Sequence, residues 1–256
     1  MGPLHAEVVG TGPPLVLLHG FTQTGRSFGP FGTALGRSHQ LILVDLPGHG
    51  GSAPVHGDLP TCGEAVLETA AALARPPFPV LGYSLGARVA LHAALDRSEQ
   101  VARLVLIGAT AGIVDAERRA ARRAADERLA DELEADADVE AFVTRWLAGP
   151  LFAGLPAAAA GRAERLVNTP AGLAASLREA GTGTQEPLDE RLTSLHVPTL
   201  LVAGAADPRF VDAALRLARS LPEAVVSVVP GATHAAHLHQ PLTTAAIVGR
   251  WLAAAG

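Results

Sequence analysis

Gly82-Tyr83-Ser84-Leu85-Gly86 follows the apolar run Pro79-Val80-Leu81 and opens an apolar-periodic segment from Ala87 to Leu95. The stretch therefore reads as a strand, a tight turn and a helix, with a serine at the turn. Such a serine sits in strained backbone, so its flanking residues must be small enough not to collide. The turn lifts the hydroxyl clear of the sheet. It also aims the next N–H, that of Leu85, at the place where charge would develop on a substrate oxygen. Gly-x-Ser-x-Gly also occurs in ordinary loops, so the rest of the chain has to support the reading.

Upstream, Leu15-Val16-Leu17-Leu18 runs into His19-Gly20-Phe21, where a second oxyanion donor is expected from the Phe21 N–H. Downstream, Pro198 to Gly204 is strand-like and Asp207 lies three residues past its end. A third run, Val225 to Val229, leads into Pro230-Gly231-Ala232-Thr233-His234. Serine, acid and histidine in that chain order, each at a strand end, is the order of the α/β-hydrolase fold. The expected catalytic set is Ser84, Asp207 and His234, with Phe21 and Leu85 as the oxyanion hole. His234 would hold the serine proton while Asp207 fixes its tautomer.

Strand-like runs alternate with helical patterns from Leu15 to Ile107 and again from Thr199 to Ala254, which implies a mostly parallel sheet flanked by helices. Helices are expected at Ala65–Ala74, Leu85–Leu95, Phe210–Ser220 and Leu242–Ala254. Between Ile113 and Leu195 no strand-like run appears. That segment reads as helical: a charged stretch from Ala116 through Glu140, then Ala141–Leu147, Ala157–Val167 and Gly172–Glu179. Residues 1–112 and 196–256 are thus expected to form the core, and residues 113–195 a helical cap inserted over the serine. The charges from Asp115 to Glu140 are most simply a solvated helix face, with Arg122 and Asp126 spaced i, i+4.

The 256-residue chain has a net charge of −5 and 48% apolar residues. The acidic balance argues against a nucleic-acid surface, and no apolar run is long enough for a bilayer. No basic segment precedes an apolar stretch at the start, so no signal peptide is expected. Cys62 is the single cysteine, which suits a reducing cytoplasm; the simplest role for it is a small buried side chain. There is no lysine, so an anion site must use arginine. His234, His237 and His239 lie close in sequence, but without a nearby carboxylate pair no metal is expected. His19 and His49 are expected to hydrogen-bond backbone in loops over the site.

A triad with an oxyanion hole serves ester hydrolysis, C–C hydrolysis, acyl transfer or proton removal beside a carbonyl, so the pocket must choose among them. Arg88 lies one turn past Ser84 on the helix. Its charge there needs an anionic partner, either a substrate carboxylate or a protein one. Trp146, Arg165 and one of Arg118, Arg119, Arg122 or Arg123 are further cap candidates. Several arginines around one triad would suit a small-molecule polycarboxylate. The competing readings are a serine hydrolase of esters or C–C bonds, and a non-catalytic binding protein, against which an intact Ser–Asp–His set argues.

Longer stretches resemble the 2-succinyl-6-hydroxy-2,4-cyclohexadiene-1-carboxylate synthase family. They are His19-Gly20-Phe21-Thr22, Asp45 to Ser52, Gly82 to Arg88, Glu117 to Ala130, Glu140 to Trp146, Pro150 to Ala153, Arg165 to Pro170, Leu173 to Gly183 and Gly231 to Pro241. The resemblance implies a cofactor-independent lyase that removes pyruvate from an enolpyruvyl-bearing cyclohexene with three carboxylates. It also implies Tyr83, Arg88, Trp146 and Arg165 as substrate contacts. Arg122 is the favoured cap arginine, with Arg123 next. Oligomeric state, monomer or small homo-oligomer, is left open by the sequence.

Overall fold

The computed structural model describes residues 2–254. Seven strands form one sheet in the order β1-β3-β2-β4-β5-β6-β7. They are β1 (Ala6–Val9), β2 (Pro14–Leu18), β3 (Gln40–Val44), β4 (Phe78–Tyr83), β5 (Val101–Ile107), β6 (Thr199–Gly204) and β7 (Ala224–Val229). All neighbours pair in parallel except β1, which runs antiparallel to β3. The helices of the sheet layers are α1 (Gly29–Leu35), α2 (Leu59–Ala71) and α3 (Leu85–Asp96). Between β5 and β6 lie α4 (Ala116–Asp136), α5 (Val139–Leu147), α6 (Arg162–Arg165), α7 (Pro170–Ala180) and α8 (Asp189–Leu192). After β6 come α9 (Pro208–Ser220), α10 (Ala236–His239) and α11 (Pro241–Ala253).

Side chains that alternate along the strands divide between two cores. Val16, Leu18, Ile42 and Val44 face one side and pack with α2, α3 and α9. Leu15, Leu17, Leu41 and Leu43 face the other and pack with α1 and α11. The inner strands are therefore apolar on both faces, as a parallel sheet covered by helices requires. A smaller third core belongs to the segment between β5 and β6: Ala130 and Leu133 of α4, Phe142 of α5, and Leu173, Ala174 and Leu177 of α7. Phe21 and Trp146 pack on its edge.

Several expected elements differ. β1 escapes the sequence pattern because it is an edge strand, with Val8 and Val9 exposed. α2 starts at Leu59, six residues before the expected Ala65, because Asp58 caps it through the Thr61 N–H and Pro60 sits in its first turn. The charged stretch breaks after Asp136, where Ala137 takes φ 51° and Asp138 caps α5. The expected helix Ala157–Val167 becomes a 3-10 turn, Ala157–Ala159, and the single turn α6, separated by Gly161 at φ 60°. Four alanines have good propensity, but a segment this short has no cooperative length to hold a helix.

Leu133 is 1% exposed in the third core, apart from the two sheet cores. Leu133→Ala should cost about 2–5 kcal/mol locally. Amide exchange should then speed up in residues 116–180 while the sheet strands stay protected; uniform loosening of the whole chain would contradict a separate cap core.

Candidate active site

Ser84 stands at the elbow between β4 and α3 with φ 52° and ψ −105°, a conformation that costs on the order of 1–3 kcal/mol and persists only where neighbours enforce it. The enforcement is visible. The Ser84 N–H donates to the Ile107 carbonyl of β5 at 2.9 Å, and the Gly86 N–H donates to the His19 carbonyl at 3.0 Å. A Cβ on Gly82 would collide with the Gly86 carbonyl, and one on Gly86 with the Leu18 carbonyl.

His234, in the turn after β7, places Nε2 3.1 Å from Ser84 Oγ. Asp207 follows β6 and caps α9, with Oδ1 accepting the Phe210 N–H. Its Oδ2 lies 3.6 Å from His234 Nδ1, ion-pair range but longer than a hydrogen bond. The Phe210 ring packs on the imidazole with centroids 4.1 Å apart. Burial, and secondarily the Arg209 charge, pushes His234 down to about 3; burial raises Asp207. A neutral imidazole with its proton on Nδ1, toward Asp207, leaves Nε2 free to accept the serine proton.

Ser84 and His234 open into a cavity of about 80 Å³, walled also by Phe21, Leu85, Arg88, Arg122 and Trp146. A cleft of about 600 Å³ adjoins it and shares Thr110, Thr182, Arg209 and Phe210 with it. Neither the Phe21 nor the Leu85 N–H is spent on a backbone acceptor among the described residues. Arg88 is buried, yet no carboxylate holds it: its Nη1 donates to the carbonyls of Ala180 (2.9 Å) and Gly181 (3.1 Å) at the end of α7. Arg122 is held by Asp126, Nε to Oδ1 at 2.8 Å, which is the expected i, i+4 pair. Trp146 meets Phe21 edge-on at 5.2 Å.

Tyr83 and Arg165 lie elsewhere. Strand alternation turns Tyr83 down behind the triad, 2% exposed, with its ring 5.3 Å from that of His234 and 4.4 Å from that of His237. Arg165 is fully buried: its Nε donates to the Ala160 carbonyl, and its Nη1 to the Phe21 carbonyl and the Thr22 hydroxyl. Asn168 joins it by donating to the Thr22 carbonyl and accepting the Gly50 N–H. Arg165 therefore braces the loop that carries the Phe21 N–H and does not form part of the cavity wall. Arg123 is exposed and also outside that wall.

No motif singles out Arg209 and Phe210, although they lie two and three residues after Asp207 in the helix it caps. Asp126, expected on a solvated helix face, is 1% exposed. His19 and His49 hydrogen-bond backbone: Nε2 of His19 accepts the Leu46 N–H and Nε2 of His49 accepts the Thr22 N–H. His237 packs among Phe28, Phe31 and Tyr83. Cys62 is buried and its thiol pushed up to about 12, chiefly by burial. No group of three or more His, Cys, Asp or Glu suited to a metal, and no helix long and apolar enough to cross a membrane, occurs among the described residues.

A helix-flanked parallel sheet with a serine elbow, a histidine against it and an acid behind defines an α/β-hydrolase architecture. The alpha/beta hydrolase family matches residues 15–247. The chain is 34% identical over 260 residues to a Bacillus subtilis relative, covering 98% of this chain and 92% of that protein. It is 35% identical to the 2-succinyl-6-hydroxy-2,4-cyclohexadiene-1-carboxylate synthase of Salmonella schwarzengrund, covering 90% and 89%. MenH from S. aureus superposes with a TM-score of 0.89 at 28% identity over 97% of each chain. A malate-bound thermophilic esterase from Thermogutta terrifontis gives 0.78 at 25% identity, over 97% and 92%. The chain belongs to the 2-succinyl-6-hydroxy-2,4-cyclohexadiene-1-carboxylate synthase family of alpha/beta hydrolases, and it is an enzyme.

Five buried histidines, His19, His49, His92, His234 and His237, are each pushed by burial to about 3 or 4. Because the folded values lie below the unfolded one, unfolding takes up protons. Stability is full above pH ~6.5 and is lost as pH falls towards the folded values, by up to ~1.4 kcal/mol per pH unit for each histidine. Against a typical 5–15 kcal/mol, unfolding should set in at about pH 5. His237→Phe, which removes two ring nitrogens without partners, should move the acid midpoint lower. A midpoint unmoved by that substitution would rule out His237 as a contributor.

Proposed function

We propose that the protein is a lyase that eliminates pyruvate from 2-succinyl-5-enolpyruvyl-6-hydroxy-3-cyclohexene-1-carboxylate, giving 2-succinyl-6-hydroxy-2,4-cyclohexadiene-1-carboxylate. The observation that carries this reading is the pairing of Arg88 and Arg122 in the wall of the Ser84–His234 cavity. Each is held through one nitrogen, and the rest of each guanidinium is available to carboxylates. The synthase-named relative supports it, because the similarity covers the cap as well as the core. The cavity of about 80 Å³ is well below the ~300–1,000 Å³ of usual ligand sites, so the substrate would extend into the adjoining cleft.

In this reaction His234 takes the Ser84 proton, and the serine oxygen removes the ring proton beside the succinyl ketone. The enolate oxygen is stabilised by the Phe21 and Leu85 N–H groups; each such donor is typically worth ~3 kcal/mol. The electron pair then moves through the ring alkene, making the conjugated diene and breaking the C–O bond to the enolpyruvyl group. That group leaves as the enolate of pyruvate and recovers a proton from His234. Neither a metal nor an organic cofactor enters the proton and electron balance.

The test is to supply freshly made substrate and follow pyruvate release together with diene absorbance. Both should appear in equal amounts, and Ser84→Ala or His234→Ala should lower kcat by roughly 10³-fold or more. Absence of pyruvate, together with burst hydrolysis of an activated ester and a trapped acyl-Ser84, would assign a serine hydrolase instead. A second prediction concerns the brace. Arg165→Ala should lower kcat by loosening the Phe21 loop; a pure KM effect would mean that Arg165 binds substrate directly.

A further inference from the structure

Asp126 is the most deeply buried carboxylate of the cap, 1% exposed on a helix most of whose other charges are exposed. A lone buried carboxylate is costly unless its oxygens are occupied. Here both are: Oδ1 accepts from Arg122 Nε at 2.8 Å, and Oδ2 accepts the Gly183 N–H at 3.2 Å. Gly183 belongs to the turn that follows α7, and the carbonyls beginning that turn, Ala180 and Gly181, are the ones that receive Arg88. The turn lies flat on α4, since a Cβ on Gly183 would collide with the Arg123 backbone. One carboxylate thus connects the cap arginine directly, and the core arginine through one turn of backbone.

Resting on the polycarboxylate reading of the cavity, we propose that Asp126 is a positioning residue that sets the spacing of Arg122 and Arg88 for a ligand with two or more carboxylates. It offers the ligand no contact of its own, since both oxygens are turned into the protein and it is absent from the cavity wall. Two guanidiniums facing one small cavity repel each other, and Arg88 feels this: it is pushed down to about 10, by burial first and by the Arg122 charge second, with Asp126 opposing. Asp126 offsets that repulsion from behind. By taking up only Nε of Arg122, it leaves the two terminal nitrogens of that guanidinium for a carboxylate.

The experiment is a double-mutant cycle of wild type, Arg122→Ala, Asp126→Asn and the double variant. It reads KM and kcat in the pyruvate-release assay and the Kd for benzene-1,3,5-tricarboxylate by calorimetry. Asp126→Asn keeps one acceptor oxygen and nearly the same volume, so folding should survive; the melting temperature of each variant is recorded alongside. Asp126→Asn should raise KM and Kd about tenfold, the loss of one charge-assisted contact, with kcat within a few-fold. In the Arg122→Ala background the same change should do little, because its effect passes through Arg122. Penalties that simply add, an unchanged Kd in Asp126→Asn, or no binding of the tricarboxylate to wild type would each overturn the proposal. Wild type that binds the tricarboxylate but releases no pyruvate would instead overturn the lyase reading and leave the binding cycle to decide on Asp126.

Discussion

The strained backbone of Ser84 is the constraint around which the molecule is arranged. A residue at φ 52° survives only if the chain on both sides is pinned. The pins are β5, through the Ile107 carbonyl, and the loop after β2, through the His19 carbonyl. Both neighbours flank β4 at the centre of the sheet, where apolar packing on two faces resists displacement. The elbow thus draws its strain energy from the best-packed part of the fold. The same hydrogen bond to His19 also fixes the start of the loop that carries the Phe21 N–H, so Ser84 and the proposed oxyanion donor are set by one arrangement.

Phe21 links that core to the cap. Its N–H belongs to the loop after β2, while its ring packs with Phe142 and Trp146 of α5. Arg165 and Asn168 reach back from the cap segment to the Phe21 and Thr22 carbonyls. A shift of the cap would therefore act on the Phe21 N–H as well as on the cavity volume.

Much of this was legible in the residues. The elbow, the acid and the histidine each sit just past an apolar run, and alternation within those runs gives both cores of the sheet. What escaped depends on contacts between segments far apart in sequence. Tyr83 adjoins Ser84 in sequence, but strand periodicity turns it to the opposite face, behind His234. Arg165 is a ligand contact by resemblance, yet its Nη1 is spent on the Phe21 carbonyl and the Thr22 hydroxyl, more than 140 residues away, and no local pattern reports that. β1 escapes because this edge strand carries no alternation, and the single helix expected at Ala157–Val167 does not form because propensity without packing or length does not fix a helix.

Asp126 shows the same limit from the other side. By periodicity it belongs to a charged surface helix, and ten of the twelve other charges between Asp115 and Asp136 are indeed exposed. Only the turn after α7, folded against α4, converts it into a buried acceptor. The chain contains no lysine, so each cation near the cavity is a planar guanidinium whose nitrogens can be divided between different tasks. Arg88 gives one nitrogen to carbonyls and Arg122 gives one to a carboxylate, and under the proposed reading each keeps the remainder for the ligand. An ammonium has no such rigid fork. With lysine at either position, the anchoring bond and the ligand bond would compete for one flexible point charge, and the spacing between the two cations would not be fixed.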